Sequence, residues 1–257
     1  LDTEELERER GITIFSKQAV FPLEDPAGDV EVTLLDTPGH VDFSAEMERT
    51  LQVLDCAVVV VSGTDGVQAH TLTLWRLLER HRVPVFLFIN KMDLAGTDRD
   101  ALLSGLQSRL SGNCLDFGAD SLFEDAATAS EEALTEYLDT GALSDSTLAG
   151  LVSRREVFPC YFGSALKLEG VEELLEGLSR YGPVPEYGPE FAARVFKIAR
   201  DGADRLTYVK ITGGSVKVRA LLGEEKVNQI RVYSWAKYQT LDEAPAGAVC
   251  ALTGLAK

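Results

Sequence analysis

Three short runs of the sequence, each just after an apolar segment, carry polar side chains or exposed backbone N–H groups that could bind a ligand. The first, Asp36-Thr37-Pro38-Gly39-His40, follows the strand-like run Val30 to Leu35. Asp36 offers a carboxylate at the C-terminal end of a strand, where α/β folds place their ligands. Gly39 has no Cβ, so its backbone N–H can approach a phosphate oxygen, and His40 lies beside it. The run indicates a site for a metal and a terminal phosphate, although Thr-Pro-Gly also makes ordinary turns.

The second and third runs carry the chemistry needed to recognise a base. Asn90-Lys91-Met92-Asp93 follows the apolar segment Val83 to Ile89. The Asp93 carboxylate can accept both N–H groups on the edge of guanine, whereas adenine offers no matching pair of donors. In Tyr161-Phe162-Gly163-Ser164-Ala165, the Ala165 N–H could meet the guanine carbonyl. Each run alone also fits a polar loop at a strand end, but their fixed order after parallel strands indicates one shared pocket.

With these runs the chain resembles a GTPase, and its N-terminal part narrows the resemblance. The run Glu5 to Ile14 is similar to the switch segment of translational GTPases. The nearest resemblance is to elongation factor G and, above all, to the tetracycline ribosomal-protection proteins. It rests on residues 36–44, 58–68, 88–93 and 193–214. The interval Leu94 to Phe162 has only 69 residues, which is shorter than in elongation factor G and closer to the protection proteins.

The resemblance implies the cofactors GTP or GDP and Mg²⁺, and a role for each matching residue. Thr13 and Asp36 would hold the metal, and the Gly39 N–H would sense the γ-phosphate. His40 would orient the attacking water once ribosomal RNA draws it inward. The residues implied to bind the nucleotide are Gly39, Asn90, Lys91, Asp93, Ser164 and Ala165. The implied partner is the ribosome in the cytoplasm, with no membrane and no DNA.

One element of the resemblance is missing from the sequence. No Gly-x-x-x-x-Gly-Lys-Ser/Thr run occurs, although that loop cradles phosphates in this class of enzyme. We therefore expect an internal fragment of a ribosome-associated GTPase, truncated at both ends, that binds nucleotide poorly and is inactive by itself. The alternative is a catalytically inactive ribosome-binding module on a GTPase scaffold. Nothing in the sequence separates tetracycline resistance from a translocation-like activity.

Charge is distributed unevenly along the 257 residues, whose net charge is −16. From Phe191 onward there are 11 Lys and Arg against 6 Asp and Glu, so the first 190 residues carry −21. An acidic first part argues against general adhesion to nucleic acid. The basic second part fits either RNA contact or an ordinary solvated surface. Four scattered cysteines without a paired motif indicate reduced packing residues.

Alternating strand and helix patterns predict an α/β fold with flanking helices, followed by a small antiparallel β-barrel. The resemblance implies that the first part is a P-loop GTPase-type sheet that lacks its first strand. The predicted domains are 1–182, a linker at 183–190 that is rich in proline and glycine, and 191–257. The first two strands, Ile12–Phe21 and Val30–Asp36, read as a hairpin. Residues 111–146 have little apolar content, and we expect an exposed, mobile elaboration there.

Overall fold

A computed structural model describes residues 17–23, 30–37, 44–202, 204–234 and 237–255, and these fall into two compact units. The barrel unit takes the described residues of 17–22, 31–53 and 185–255, and the sheet unit takes Leu23, Val30 and 54–184. The division after residue 184 lies inside the predicted linker. No helix in the described ranges is long and apolar enough to cross a membrane.

The described elements follow the predicted alternation of strands and helices in the first part, and mostly strands in the second. The strands are β1 Lys17–Leu23, β2 Val30–Asp36, β3 Ala57–Ser62, β4 Val85–Asn90, β5 Cys114–Asp116, β6 Phe158–Phe162, β7 Ala192–Asp201, β8 Asp204–Gly213, β9 Ser215–Lys217, β10 Leu221–Leu222, β11 Glu225–Lys226, β12 Gln229–Ser234, β13 Lys237–Leu241, β14 Glu243–Pro245 and β15 Val249–Thr253. The helices are α1 Ser44–Leu51, α2 Ala69–Arg80, α3 Arg99–Arg109, α4 Leu122–Ala127, α5 Glu131–Thr140, α6 Asp145–Ser153 and α7 Val171–Tyr181, with a 3₁₀ turn at Ala165–Lys167.

The sheet unit is built on a parallel sheet of four strands in the order β3-β4-β6-β5. In β4 the side chains from Val85 to Ile89 are all buried, with at most 3% exposed. A strand buried on both faces is typical of parallel sheets covered by helices, and it explains the continuous apolar run in the sequence. The predicted α/β fold with flanking helices is therefore confirmed.

The expectation that residues 111–146 form an exposed elaboration is wrong. The segment contributes the edge strand β5 and the helices α4 and α5, and it buries Ala126, Ala133 and Leu143 in the core of the sheet unit. Phe117 packs its ring against Tyr161 at 6.0 Å and Tyr181 at 5.3 Å, measured between ring centroids. The buried side chains of this segment are few and scattered, and two of them are small alanines, which explains why its sequence shows little apolar content.

The barrel unit contains a five-stranded antiparallel sheet in the order β13-β12-β15-β8-β7. Two small antiparallel pairs, β14-β9 and β10-β11, accompany it. The core includes Ile211, Ile230 and Leu252, which are at most 1% exposed. The predicted antiparallel domain is confirmed, and the short strands β10, β11, β13 and β14 are additions that the sequence pattern did not reveal.

The segment before the parallel sheet packs within the barrel unit. Strand β1 pairs with β2 in a separate two-stranded sheet, as the hairpin prediction requires, although the predicted turn lies outside the described residues. Val53, after α1, packs with Phe196 and Val249, and Leu35 of β2 lies against the same cluster. The sequence assigns these residues to domain 1–182, and the predicted domain limits stay a prediction.

Candidate functional site

The site is formed where two neighbouring parallel strands of the sheet unit end. Strands β4 and β6 pair in register, with Ile89 opposite Phe162, so the loops that follow them leave the same edge of the sheet. The loop after β4 begins at Lys91, and the loop after β6 begins at Gly163. This is the C-terminal edge of a parallel sheet, where α/β proteins bind their ligands.

Asn90 ties the two loops together through its side chain. Its Oδ1 accepts hydrogen bonds from the Lys91 N–H at 2.8 Å and from the Ala165 N–H at 2.9 Å. Lys91 has a φ of 66°, a left-handed conformation that side-chain-bearing residues seldom adopt. The Ala165 N–H predicted to meet the guanine carbonyl is thus bonded to Asn90, and it would reach a base only by sharing that bond or leaving it.

Two glycines lie at tight points of this arrangement, Gly163 within the loop after β6 and Gly63 against the loop after β4. A Cβ on Gly163 would lie 2.0 Å from the Glu169 carbonyl oxygen, and one on Gly63 would lie 2.9 Å from the Met92 sulfur. The same glycines bond to the β4 loop: the Gly163 carbonyl accepts from the Met92 N–H at 3.0 Å, and the Gly63 N–H donates to the Asn90 carbonyl at 2.7 Å. At Gly163 the obstacle is backbone, so only a residue without a side chain fits there, whereas at Gly63 the nearest obstacle is the flexible end of the Met92 side chain.

The Asp93 carboxylate lies between the two loops, with its side chain 16% exposed. A hydrogen bond from the Ser164 hydroxyl holds the pKa of Asp93 below its ordinary value, desolvation opposes this, and Lys167 lowers the pKa further. Lys167 Nζ lies 3.2 Å from Asp93 Oδ2, and Ser164 is buried. The site therefore holds an ionised carboxylate, which can only accept hydrogen bonds.

The residues that complete this arrangement include some that sequence reasoning missed. Thr97 Oγ1 donates to the carbonyls of Met92 and Leu94, both at 3.0 Å, and so fixes the loop that carries Asp93. Lys167 was also missed, and the one signal for it was a cation three residues after Ser164 in a tight turn. Both residues act on the position or the charge of the carboxylate.

Of the residues predicted to bind phosphate and metal, only Asp36 is among the described residues. Thr13, Gly39 and His40 are outside the described residues. Asp36 ends β2 in the barrel unit. Across the described ranges no three His, Cys, Asp or Glu side chains form a group that could hold a metal ion. A single carboxylate nevertheless fits Mg²⁺, because nucleotide-bound Mg²⁺ takes one or two protein oxygens beside phosphates and water.

The described part of the site can therefore discriminate between bases. A carboxylate that only accepts, held between two fixed loops, complements two adjacent N–H donors on a planar ring. Guanine presents such a pair through N1–H and its exocyclic amine, and adenine would leave the carboxylate unpaired. Asn90, Lys91, Asp93, Ser164 and Ala165, which the sequence predicts as nucleotide-binding residues, all lie in this one place.

Comparisons with known proteins give a consistent picture. A family model described as the elongation factor Tu GTP binding domain matches residues 1–184. Tetracycline resistance proteins TetO from Streptococcus mutans and Streptococcus pneumoniae are each 33% identical over 252 residues, which is 90% of this chain and 39% of theirs. A crystal structure of a protein from Thermus thermophilus matches the fold with a TM-score of 0.83 at 24% identity, covering 98% of this chain and 46% of that one. The chain thus spans about 39% of the length of the curated relatives it matches.

Proposed function

The chain belongs to the translational GTPases, because the elongation factor Tu GTP binding domain family matches it over residues 1–184. We propose that it is part of a ribosome-associated enzyme that hydrolyses GTP to GDP and phosphate. The observation that carries the proposal is the joining of the β4 and β6 loops around Asp93. That carboxylate selects the base, because guanine alone among the common purines offers it two donors.

The base-binding residues have separate tasks in this proposal. Asp93 accepts from the guanine edge, and Asn90 holds the two loops at a fixed spacing. Ser164 keeps the Asp93 carboxylate ionised and oriented by donating to it. Lys91 has a positive φ, and it is exposed next to Asn90. Its side chain can therefore cover a bound base.

The reaction itself depends on the phosphate end of the nucleotide. Phosphoryl transfer needs little covalent chemistry from protein, so catalysis comes from position and from stabilising spread-out negative charge. In the proposal Thr13 and Asp36 would hold Mg²⁺, which would supply positive charge to offset the negative charge of the phosphates. Gly39 donates its N–H to the γ-phosphate, and His40 orients the attacking water. A histidine suits this last role in either its neutral or its charged form near pH 7.

The ribosome is the proposed partner, in the cytoplasm. The two streptococcal relatives are named as tetracycline resistance proteins, which favours a ribosomal-protection role over an elongation factor G-like one. The positive charge of the second part of the chain, 11 Lys and Arg against 6 Asp and Glu from Phe191 onward, suits contact with ribosomal RNA.

The test is GTP hydrolysis by the full-length protein with and without purified ribosomes. We expect the rate to rise strongly when ribosomes are added, and His40→Ala to remove most of that rise while leaving GDP affinity nearly unchanged. Loss of one residue that positions water or charge typically costs about 10²-fold or more in rate. Phosphate release measures the rate, and calorimetric titration with GDP measures the affinity.

Two outcomes would count against this function. A rate that ribosomes leave unchanged would point to another partner. GDP binding without hydrolysis under any of these conditions would favour the inactive ribosome-binding module. If His40→Ala abolished GDP affinity instead of lowering the rate, the assignment of His40 to the attacking water would be wrong.

A further inference from the structure

The carboxylate assigned to the base is already occupied by groups of the chain itself. Lys167 Nζ lies 3.2 Å from Asp93 Oδ2, and the Ser164 hydroxyl donates to the same carboxylate. Both donors belong to the loop after β6. Two donors on one carboxylate are also what a guanine edge would supply, so the chain satisfies Asp93 in the absence of a base.

The backbone of that loop fixes where Lys167 begins. Ser164 and Glu169 exchange two hydrogen bonds, with N–H to O distances of 2.9 and 3.1 Å, and so close the turn at its base. Inside it, the Lys167 N–H donates to the Ser164 carbonyl at 3.1 Å. Leu168 completes the turn in a left-handed conformation with φ of 61°. The backbone of this turn therefore places Lys167 where its ammonium can reach Asp93.

The Lys167 side chain is nevertheless able to leave. It is 53% exposed, and among the described residues Asp93 is the only carboxylate within ion-pair distance of it. The flanking side chains are open to solvent as well, since Leu166 is 93% exposed and Leu168 is 75% exposed. An exposed ion pair is weak, so a base that makes two hydrogen bonds to the carboxylate can displace the ammonium.

We propose that Lys167 is a gate of the base site, which holds the Asp93 carboxylate while the site is empty and is displaced when a base with two adjacent N–H donors binds. This inference rests on the proposed function, because it requires guanine to bind at Asp93. Lys167 is then a competitor of the base and not a contact to it. During release the ammonium returns to the carboxylate, so the gate also favours dissociation.

The test compares GDP affinity of the full-length protein and of Lys167→Met, which keeps the aliphatic stem and removes the charge. Because an exposed ion pair is weak, we expect the variant to bind GDP only roughly 1.5- to 5-fold more tightly at low salt. Salt screens the ion pair, so the ratio of the two dissociation constants should approach one between about 0.05 M and 0.5 M KCl. Taking the ratio cancels the salt dependence of phosphate binding, which both proteins share.

Two further variants complete the design. Lys167→Arg keeps the charge and should behave as the unaltered protein. Arg154→Met removes an ion pair of similar exposure, between Arg154 and Glu156 at 3.0 Å, outside the base site. It should leave GDP affinity unchanged at both salt concentrations. Thermal melting of each variant checks that the fold is retained.

The outcomes separate this inference from the function it rests on. Weaker GDP binding by Lys167→Met would make Lys167 a base contact or a support for Asp93, and would overturn the gate. A ratio that stays at one, or that does not change with salt, would overturn it too, while GDP binding by the unaltered protein would leave the proposed function standing. Failure of the unaltered full-length protein to bind GDP would overturn both.

Discussion

At the scale of single residues, the loop after β6 folds back on itself within the proposed base site, and Gly163 is where it approaches its own backbone. Its Cα faces the Glu169 carbonyl so directly that a Cβ there would lie 2.0 Å from the oxygen and 2.8 Å from the carbonyl carbon. Both are backbone atoms, which cannot rotate aside as a side chain can. The Met92 N–H bonds to the Gly163 carbonyl at 3.0 Å, so any displacement reaches the loop that carries Asp93.

We therefore predict that Gly163→Ala lowers the free energy of unfolding by about 1–3 kcal/mol, the usual cost of inserting a methyl group into a packed site, and also weakens GDP binding. The matched control is Gly105→Ala in the interior of α3, where nothing lies within 4 Å of an added Cβ. The control should be neutral or more stable by up to about 1 kcal/mol, through helix propensity. Urea unfolding measures both, and equal effects of the two changes would refute the steric argument.

The sequence predicted which residues lie together at this place, but it did not predict the hydrogen bonds between them. Asn90 and Ser164 each end a strand run, and adjacent parallel strands must bring such ends together, so their proximity was predictable. The bond from the Ala165 N–H to Asn90 Oδ1 was not, because it depends on one side-chain rotamer. The pairing of Lys167 with Asp93 was missed for the same reason, since an exposed lysine in a turn has many positions open to it.

At the scale of elements, helix α1 ends against basic side chains of the barrel sheet. Lys210 of β8 donates from Nζ to the Val53 carbonyl at 3.1 Å, and Arg194 of β7 donates to the Gln52 carbonyl at 3.1 Å. Carbonyls beyond the last turn of a helix lack intrahelical partners and attract cations. The side chain of Lys210 is buried, so its hydrogen bond is shielded from water.

We predict that Lys210→Met lowers the free energy of unfolding by about 1.5–3 kcal/mol, because a buried carbonyl loses a charged donor. Lys217→Met is the control, since that side chain is 69% exposed and pairs with Glu243 only at 3.5 Å. It should change stability by no more than about 0.5 kcal/mol. Denaturant titration followed by tryptophan fluorescence and by circular dichroism checks the prediction. Similar midpoints for both variants would show that the capping contact contributes little.

Helices and strands were predicted correctly where apolar residues follow a clear pattern, and they were missed where large apolar residues are few. Strand β4 shows an uninterrupted apolar run, which predicts a strand over Val83–Asn90, and the observed limits, Val85–Asn90, fall inside that range. Residues 111–146 lack such runs, yet Ala126 and Ala133 are fully buried. Alanine is only weakly hydrophobic. A helix that is buried through alanines therefore has a sequence pattern close to that of an exposed helix. Strand β5, with three residues, is too short for any period to show.

At the scale of the whole molecule, the chain combines two compact units, and its charge changes along the sequence and not at the boundary between them. The sheet unit carries the residues proposed to recognise the base, and the barrel unit carries β2, which ends at Asp36, together with the antiparallel sheet. The acidic excess of the first 190 residues and the basic excess beyond them were evident from composition alone. The family follows from the match to residues 1–184, as the three strand-end motifs had indicated.

The central claim, that Asp93 selects guanine, is tested most directly by changing the hydrogen bonds it can make. Asp93→Asn replaces an acceptor with a donor, which opposes the guanine amine but matches the C2 carbonyl of xanthine. Calorimetric titration of the full-length protein should show GDP affinity falling by about 10- to 100-fold and affinity for xanthosine diphosphate rising. If the variant kept its GDP affinity and gained none for the xanthine nucleotide, Asp93 would not contact the base, and the account would be contradicted.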